Sequence, residues 1–340
     1  MITYSLQHSL QKGLRKYGQR ASDLGITGIP YPGETLTSTV SGQWYVNDVE
    51  SGSPSTTYTV DVRDIGKPVR CGDSEPVTIW HPTDVTTNMI LLTPNVGALH
   101  SIEPDVEATD GQTVRRILDQ SGNGWHADQA TGANQPTRQV SEVGGNDTLL
   151  FDGANDFMSF SGGALSLFRN RGYGYIIASC RDTNRAAGAV SHSILLAGNN
   201  AGATRLSLFT RLSSSDTFAA AGRRLDSDSF VSAGASSNIN YNTITNKGMW
   251  QTGAVALSTN GSQVASVALS TSGNTSDTDS SAITIGADTS SGQTFPGHIS
   301  CLMVLSPDTA LSDVNLRRLE RYAYLCGPGP TEVTLDPSDS

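Results

Sequence analysis

Apolar residues in this chain come in short runs, and the runs end at Gly, Pro, Asn, Asp or Ser. Met89–Leu92 (MILL) and Cys301–Leu305 (CLMVL) show the pattern. That rhythm fits many short strands joined by tight turns and leaves little room for a helical protein. Composition agrees: there are 35 glycines, with 36% hydrophobic and 16% charged residues, both below the globular average. The aliphatic runs nevertheless provide for a core. One segment, TALSDVNLRRLERYAYL (309–325), keeps a helical period, with Val314, Leu316, Leu319, Tyr322 and Leu325 in an apolar stripe. Ser312 or Asp313 would cap it.

The balance of charge excludes some partners. The net charge is −10, and outside the N-terminus the basic residues are scattered, so no basic stripe offers itself to nucleic acid. No apolar segment approaches the ~20 residues that span a bilayer, which excludes membrane insertion by a helix. The opening MITYSLQHSLQKGLRKYGQR has no continuous apolar core, so a secretory signal is not expected. Cys71, Cys180, Cys301 and Cys326 form no CxxC pair and match no zinc spacing. Buried free thiols are expected rather than disulfides.

Residues 1–25 place Leu6, Leu10 and Leu14 among Lys12, Arg15, Lys16 and Arg20. They read as a docking arm, either a short amphipathic helix or a segment that orders on a partner, with a solvated terminus as the alternative. From residue 26 the pattern turns to strands, expected at Thr35–Val40, Gln43–Val46, Thr57–Val62, Val69–Cys71 and Val77–Trp80. The stretch GETLTSTVSGQWYVNDVESGSPSTTYTVDVRDIGKPVRC (33–71) resembles the immunoglobulin-like modules of bacterial surface and phage virion proteins. The resemblance implies a small β-sandwich over 26–87, with Trp44 in its core and a turn at Asp64–Gly66. No second cysteine precedes Cys71 in residues 30–43, so this module departs from the bridged antibody pattern.

Further along, strands are expected at Thr148–Phe151, Phe157–Phe160, Tyr173–Ser179, Ser193–Ala197, Arg205–Phe209, Trp250–Ala256, Val264–Ala268, Ala282–Ile285 and Gly297–Leu305. Three phrases stand in order: DQSGNGWHADQATGANQPTRQ (119–139), TLLFDGANDFMSF (148–160) and GHISCLMVLSPDTALSDVNLRRLERYAYL (297–325). Together they are similar to the concanavalin A-like jelly roll of laminin-G type found in phage tail, fibre and adhesin proteins. The resemblance covers about 230 of the 340 residues. It implies an all-β chain in which an immunoglobulin-like sandwich is followed by a jelly roll over 88–327 with one C-terminal helix, then an extended tail over 328–340.

The chemistry of these motifs reads as follows. Gly122 and Gly124 permit a sharp reversal, and Asp119 and Asn123 can bond neighbouring amides to hold it. Trp125 could stack on a sugar ring and His126 contact it, although packing beneath the turn is the preferred role for Trp125. Asp152, Asn155 and Asp156 cluster oxygen atoms that could hold Ca²⁺, with ordinary Asx-turn chemistry the preferred reading. No other cofactor is implied. Glu103, Asp105 and Glu107 alternate like the carboxylates of the jelly-roll glycoside hydrolases. Pro104 and their place before the first motif argue for an acidic loop instead. No nucleophile elbow is present.

A non-enzymatic role therefore leads. The polar loops around 199–204, 213–217, 238–246 and 270–281 are candidates for glycan binding, with Asn199, Asn200, Asn240 and Tyr241 as named contacts. The module order resembles a phage tail or baseplate protein, assembled in a host cytoplasm, docked through its N-terminal arm and displaying a lectin-like domain to host polysaccharide. By the same analogy it would be a homo-oligomer. A purely structural virion protein is the alternative, and a glycan depolymerase a weaker one.

Overall fold

The structure, a computed structural model, describes residues 25–94, 99–100, 106–160, 164–183, 191–197, 205–211, 217–236, 240–276, 283–287 and 293–327. The chain divides between His81 and Pro82 into two compact units. Both are built from antiparallel strands, and among the described residues the one α-helix is C-terminal. The basic arm (Lys12, Arg15, Lys16, Arg20) and the tail lie outside the described residues.

In the first unit, β1 (Ile26–Thr27), β2 (Thr35–Val46), β3 (Val49–Thr59), β4 (Pro68–Cys71) and β5 (Val77–Thr78) form one five-stranded sheet. The two runs expected at 35–40 and 43–46 are a single strand with bulges between Thr37 and Trp44, and β3 begins well before the expected 57. The turn between them is Asn47–Asp48, both at positive φ (48° and 63°). That geometry suits the twist of a two-residue hairpin. Leu36, Trp44, Val60, Val69, Cys71 and Ile79 make the core. Trp44 stacks on Tyr58 at 5.4 Å, and its indole N–H donates to Ser55 O at 3.1 Å. Trp44 thus holds the core place expected of it, and Cys71 is a buried free thiol.

The second unit contains two sheets. One has eight strands: β6 (Met89–Leu92), β10 (Thr137–Val143), β11 (Asn146–Asp152), β13 (Gly174–Asp182), β18 (Asn242–Met249), β19 (Ala254–Thr259), β20 (Ser262–Ala268) and β22 (Pro296–Leu305). The order is β10-β11-β22-β13-β18-β19-β20. The edge of β22 away from β13 is shared: β11 pairs with its first half and β6 with its second. The other sheet has nine strands: β7 (Leu99–His100), β8 (Arg116–Ile117), β9 (Ala127–Asp128), β12 (Met158–Phe160), β14 (His192–Ala197), β15 (Leu206–Arg211), β16 (Thr217–Gly222), β17 (Val231–Ser236) and β21 (Ile283–Ile285). Two-residue turns close the hairpins β10–β11 (Gly144–Gly145) and β19–β20 (Asn260–Gly261), all four residues at positive φ.

Alternation along the strands builds the layers. Ile176, Ala178 and Cys180 of β13, Ile299, Leu302 and Val304 of β22, and Ile244 of β18 join Leu195, Leu208 and Ala220 of the facing sheet in one core. Two polar ties cross it. The Asn246 amide donates to Ser207 O (2.6 Å) and Ala221 O (2.9 Å). Asp182 accepts from the Thr210 hydroxyl at 2.7 Å and lies 2.6 Å from His192 Nδ1. On the other face of the eight-stranded sheet lies α1 (Asp313–Cys326), contacting β13, β18 and β22. Ser312 is its cap, accepting from the Asn315 amide at 3.2 Å. Leu319, Tyr322, Ala323 and Cys326 are fully buried. Cys180, Cys301 and Cys326 are free thiols, and Cys326 lies within hydrogen-bond reach of Cys301.

Candidate binding site

The residues proposed from sequence fall into three places. The first is the turn of residues 119–126. Asp119 is buried and gathers it: Oδ1 accepts from the amides of Leu91 and Ser121, both at 3.0 Å. Its Oδ2 accepts from the Ser121 hydroxyl at 2.8 Å and the Trp125 amide at 3.1 Å. The Asn123 amide group donates to Thr87 O and Met89 O at 2.8 Å. Gly122 (φ 88°) and Gly124 (φ 73°) adopt the left-handed conformations that the reversal requires. Trp125 packs against the core, and His126 Nδ1 accepts from the Asp119 amide at 3.0 Å. This bond places the neutral ring's proton on Nε2. Both side chains thus serve the turn.

The second place is the β11–β12 turn. Asp152 Oδ1 accepts from the amides of Ala154 (2.7 Å) and Asn155 (3.1 Å), and Asp156 Oδ2 accepts from the Asp152 amide (2.8 Å). The Asn155 side-chain amide donates to Ala133 O and Asn134 Oδ1, tying the turn to the 132–134 segment. These are Asx-turn bonds, with the carboxylate oxygens directed at backbone N–H groups. Burial pushes the Asp156 carboxyl up to about 6; the Asp152 amide opposes the shift and the Asp152 carboxylate adds to it. Among the described residues no three His, Cys, Asp or Glu side chains are gathered as a metal site.

The third place is a cleft. Asn240 and Tyr241 line an open cleft of about 610 Å³ with Arg181, Asp182, Thr183, Asn260 and Tyr324. Its walls come from separate elements: the end of β13, the entry to β18, the β19–β20 turn and the last turn of α1. Asn260 is fixed by the hairpin, its Oδ1 accepting from the Thr243 amide and its Nδ2 donating to Asn242 Oδ1. The Asn242 amide donates to Asn240 O at 2.7 Å. Half-buried Tyr241 has a cation and an imidazole as neighbours: the Arg181 guanidinium sits 5.3 Å from its centroid, and the His298 ring 6.3 Å away. His298 Nδ1 bonds the Thr148 hydroxyl at 3.0 Å. Burial lowers the His298 pKa, with Glu142 opposing and Arg181 adding. Burial also pushes the Tyr241 phenol up, against the pull of Arg181.

Of the other sequence candidates, Asn199, Asn200, Glu103 and Asp105 lie outside the described residues. Glu107 pairs with Arg138 at 2.7 Å, and Arg138 in turn pairs with Asp147. The sequence reading named Asn240 and Tyr241 but missed Arg181, Asp182, Thr183, Asn260 and Tyr324. Only Asn260 carried a local signal, the Asn-Gly dipeptide of a hairpin turn.

No family model matches the chain, and no curated protein matches it. Solved structures do resemble it. The binding domain of Paraclostridial Mosquitocidal Protein 1 superposes with a TM-score of 0.50 at 13% identity, covering 74% of this chain and 56% of that one. The botulinum neurotoxin serotype D binding domain gives 0.47 at 11% identity, with 71% and 53% covered. A structure of botulinum neurotoxin type C, whose cell entry depends on interaction with two ganglioside molecules, gives 0.46 at 11% identity, with 72% and 53% covered. The chain spans about half the length of these neighbours. At such identity the likeness speaks for an all-β fold and for nothing finer.

Proposed function

We propose that this chain is a non-enzymatic, glycan-binding protein of a bacteriophage particle, associated with the tail or baseplate, and that the Asn240–Tyr241 cleft receives a saccharide of the host surface. The cleft is the observation that carries the reading. Its volume lies within the usual range for small-ligand sites. Two exposed amides, Asn240 and Asn260, offer paired donors and acceptors to sugar hydroxyls. Tyr241 and Tyr324 offer apolar ring surface. Antiparallel strands and a hairpin turn hold these groups, so little ordering is left to be done on binding. The module order seen in the sequence supports the virion role, with the N-terminal arm as the dock to other particle proteins and a homo-oligomer as the assembled form.

The test is glycan-array and whole-cell binding by the full chain, repeated with Asn240→Ala. Asn240 is exposed, so this variant is expected to keep the wild-type Tm while binding about tenfold more weakly. Binding that is indifferent to Asn240 moves the site elsewhere. Particles that incorporate a chain retaining no glycan and no cells favour a purely structural virion protein. Release of reducing sugar would overturn the non-enzymatic reading.

A further inference from the structure

Several described arginines in this protein are engaged by close ion pairs or hydrogen bonds. Arg116 pairs with Asp128, Arg138 with Asp147 and Glu107, Arg205 with Asp226, and Arg224 donates to Thr271 and to Asn274 O. Arg181 is different. It lines the cleft, yet its guanidinium makes no hydrogen bond to a described residue. Its one ionic neighbour, Glu142, stands 3.6 Å away, beyond good hydrogen-bond geometry. Its other neighbour is the Tyr241 ring, whose centroid lies 5.3 Å from the guanidinium carbon. A guanidinium presents its N–H groups as a planar fork, and a planar oxyanion can take two of them at once.

The neighbouring carboxylates leave that fork available. Asp182 directs Oδ2 away to the Thr210 hydroxyl and the His192 ring. Glu142 also lies 3.8 Å from His298 Nε2, so it is shared between two partners and held closely by neither. Its side chain is one-third exposed and can turn to water when a better-placed carboxylate arrives.

We infer that the cleft selects acidic saccharides, with a sugar carboxylate of the uronate or sialate class held on the Arg181 fork beside the Tyr241 ring, while Asn240 and Asn260 take hydroxyls. The inference rests on the cleft being the glycan site. Neutral sugars of the same size lack the group that satisfies Arg181, so they gain the amide contacts only.

The experiment compares binding of the full chain to glucuronate- and N-acetylneuraminate-terminated oligosaccharides with binding to their carboxyl-reduced forms. It is repeated with Arg181→Gln and Arg181→Lys. Wild type is expected to prefer the acidic forms by about ten- to a hundredfold. Arg181→Gln should abolish the preference, weakening binding of the acidic forms far more than that of the reduced forms. Arg181→Lys should keep part of it, since charge remains but the fork is lost. Equal affinity for acidic and reduced sugars, or a preference that survives Arg181→Gln, overturns the acidic specificity and leaves the glycan site standing. Failure of wild type to bind any sugar overturns both. Because the reduced-sugar affinity of each variant is measured alongside, a misfolded variant is recognised by loss of both classes together.

Discussion

Asp119 shows how much of this fold turns on single side chains. Its two oxygens satisfy three backbone amides and a hydroxyl, among them the Leu91 amide of β6. Asp119→Ala leaves those donors without partners in a buried place, so a loss of about 3 kcal/mol or more is expected, read from urea denaturation. Asp156 predicts a pH dependence. Its folded value of about 6 exceeds the ordinary 3.8, so the native state holds this proton more tightly than the unfolded chain does. The resulting stabilisation is complete below about pH 4 and is lost as pH rises through 6. Asp156→Asn can still accept from the Asp152 amide but does not titrate. Its Tm, compared with wild type at pH 4 and pH 7.5, should show a smaller fall across that interval. The bonds of Asp119 to Ser121 and Trp125 were legible in the sequence because Asx bonding is local. Its bond to Leu91 and those of Asn123 to Thr87 and Met89 reach back about thirty positions and were not. The Arg181–Tyr241 pairing was not, because it joins side chains 60 positions apart that only strand pairing brings together.

Strands were legible where they carried branched aliphatic residues and were missed where they did not. β18 reads NTITNKGM and looks like a polar loop, yet most of it is buried. Its burial comes from both sides: Ile244 and Asn246 face the nine-stranded sheet, while Thr245 donates to Glu320 of α1 at 2.7 Å. β16 (TFAAAG) escaped notice for a related reason, since small residues give a weak pattern but pack well between sheets. Trp250 misled in the other direction. It sits in a single 3-10 turn after β18 and fills the core against Phe168 at 5.7 Å, where a strand had been expected to begin. The helix α1 was plain in the sequence, but what it covers was not. Cys326 of its last turn and Cys301 of β22 meet beneath it, both fully buried, and burial raises the Cys301 thiol well above its ordinary value. Thiols so placed should be inert to Ellman's reagent in the native protein and should react only on unfolding. Labelling before the melting transition would show instead that α1 lifts from the sheet locally.

The whole molecule is two units, each with its own core, and the sequence rhythm announced strands without announcing which would be neighbours. The pairing partners of β22 come from β6, β11 and β13, gathered from residue 89 to residue 182. In the first unit, by contrast, every sheet contact among the described residues lies between residues 26 and 78. The difference has a consequence for the ribosome. The first unit has its described strands within about fifty residues of one another, whereas the second waits for its middle strand until some two hundred residues after its first strand has been made. Until residue 305 emerges, β6, β11 and β13 share a missing neighbour, and until residue 326 the outer face over Cys301 and Met303 has no cover. Ribosome-arrested chains exposing residues up to 295 should therefore yield a protease-resistant fragment near 25–81 and lose the remainder. Chains exposing residues through 327 should resist across both units. Chaperones would meet this protein as a folded first unit trailing some two hundred residues that have nowhere yet to go.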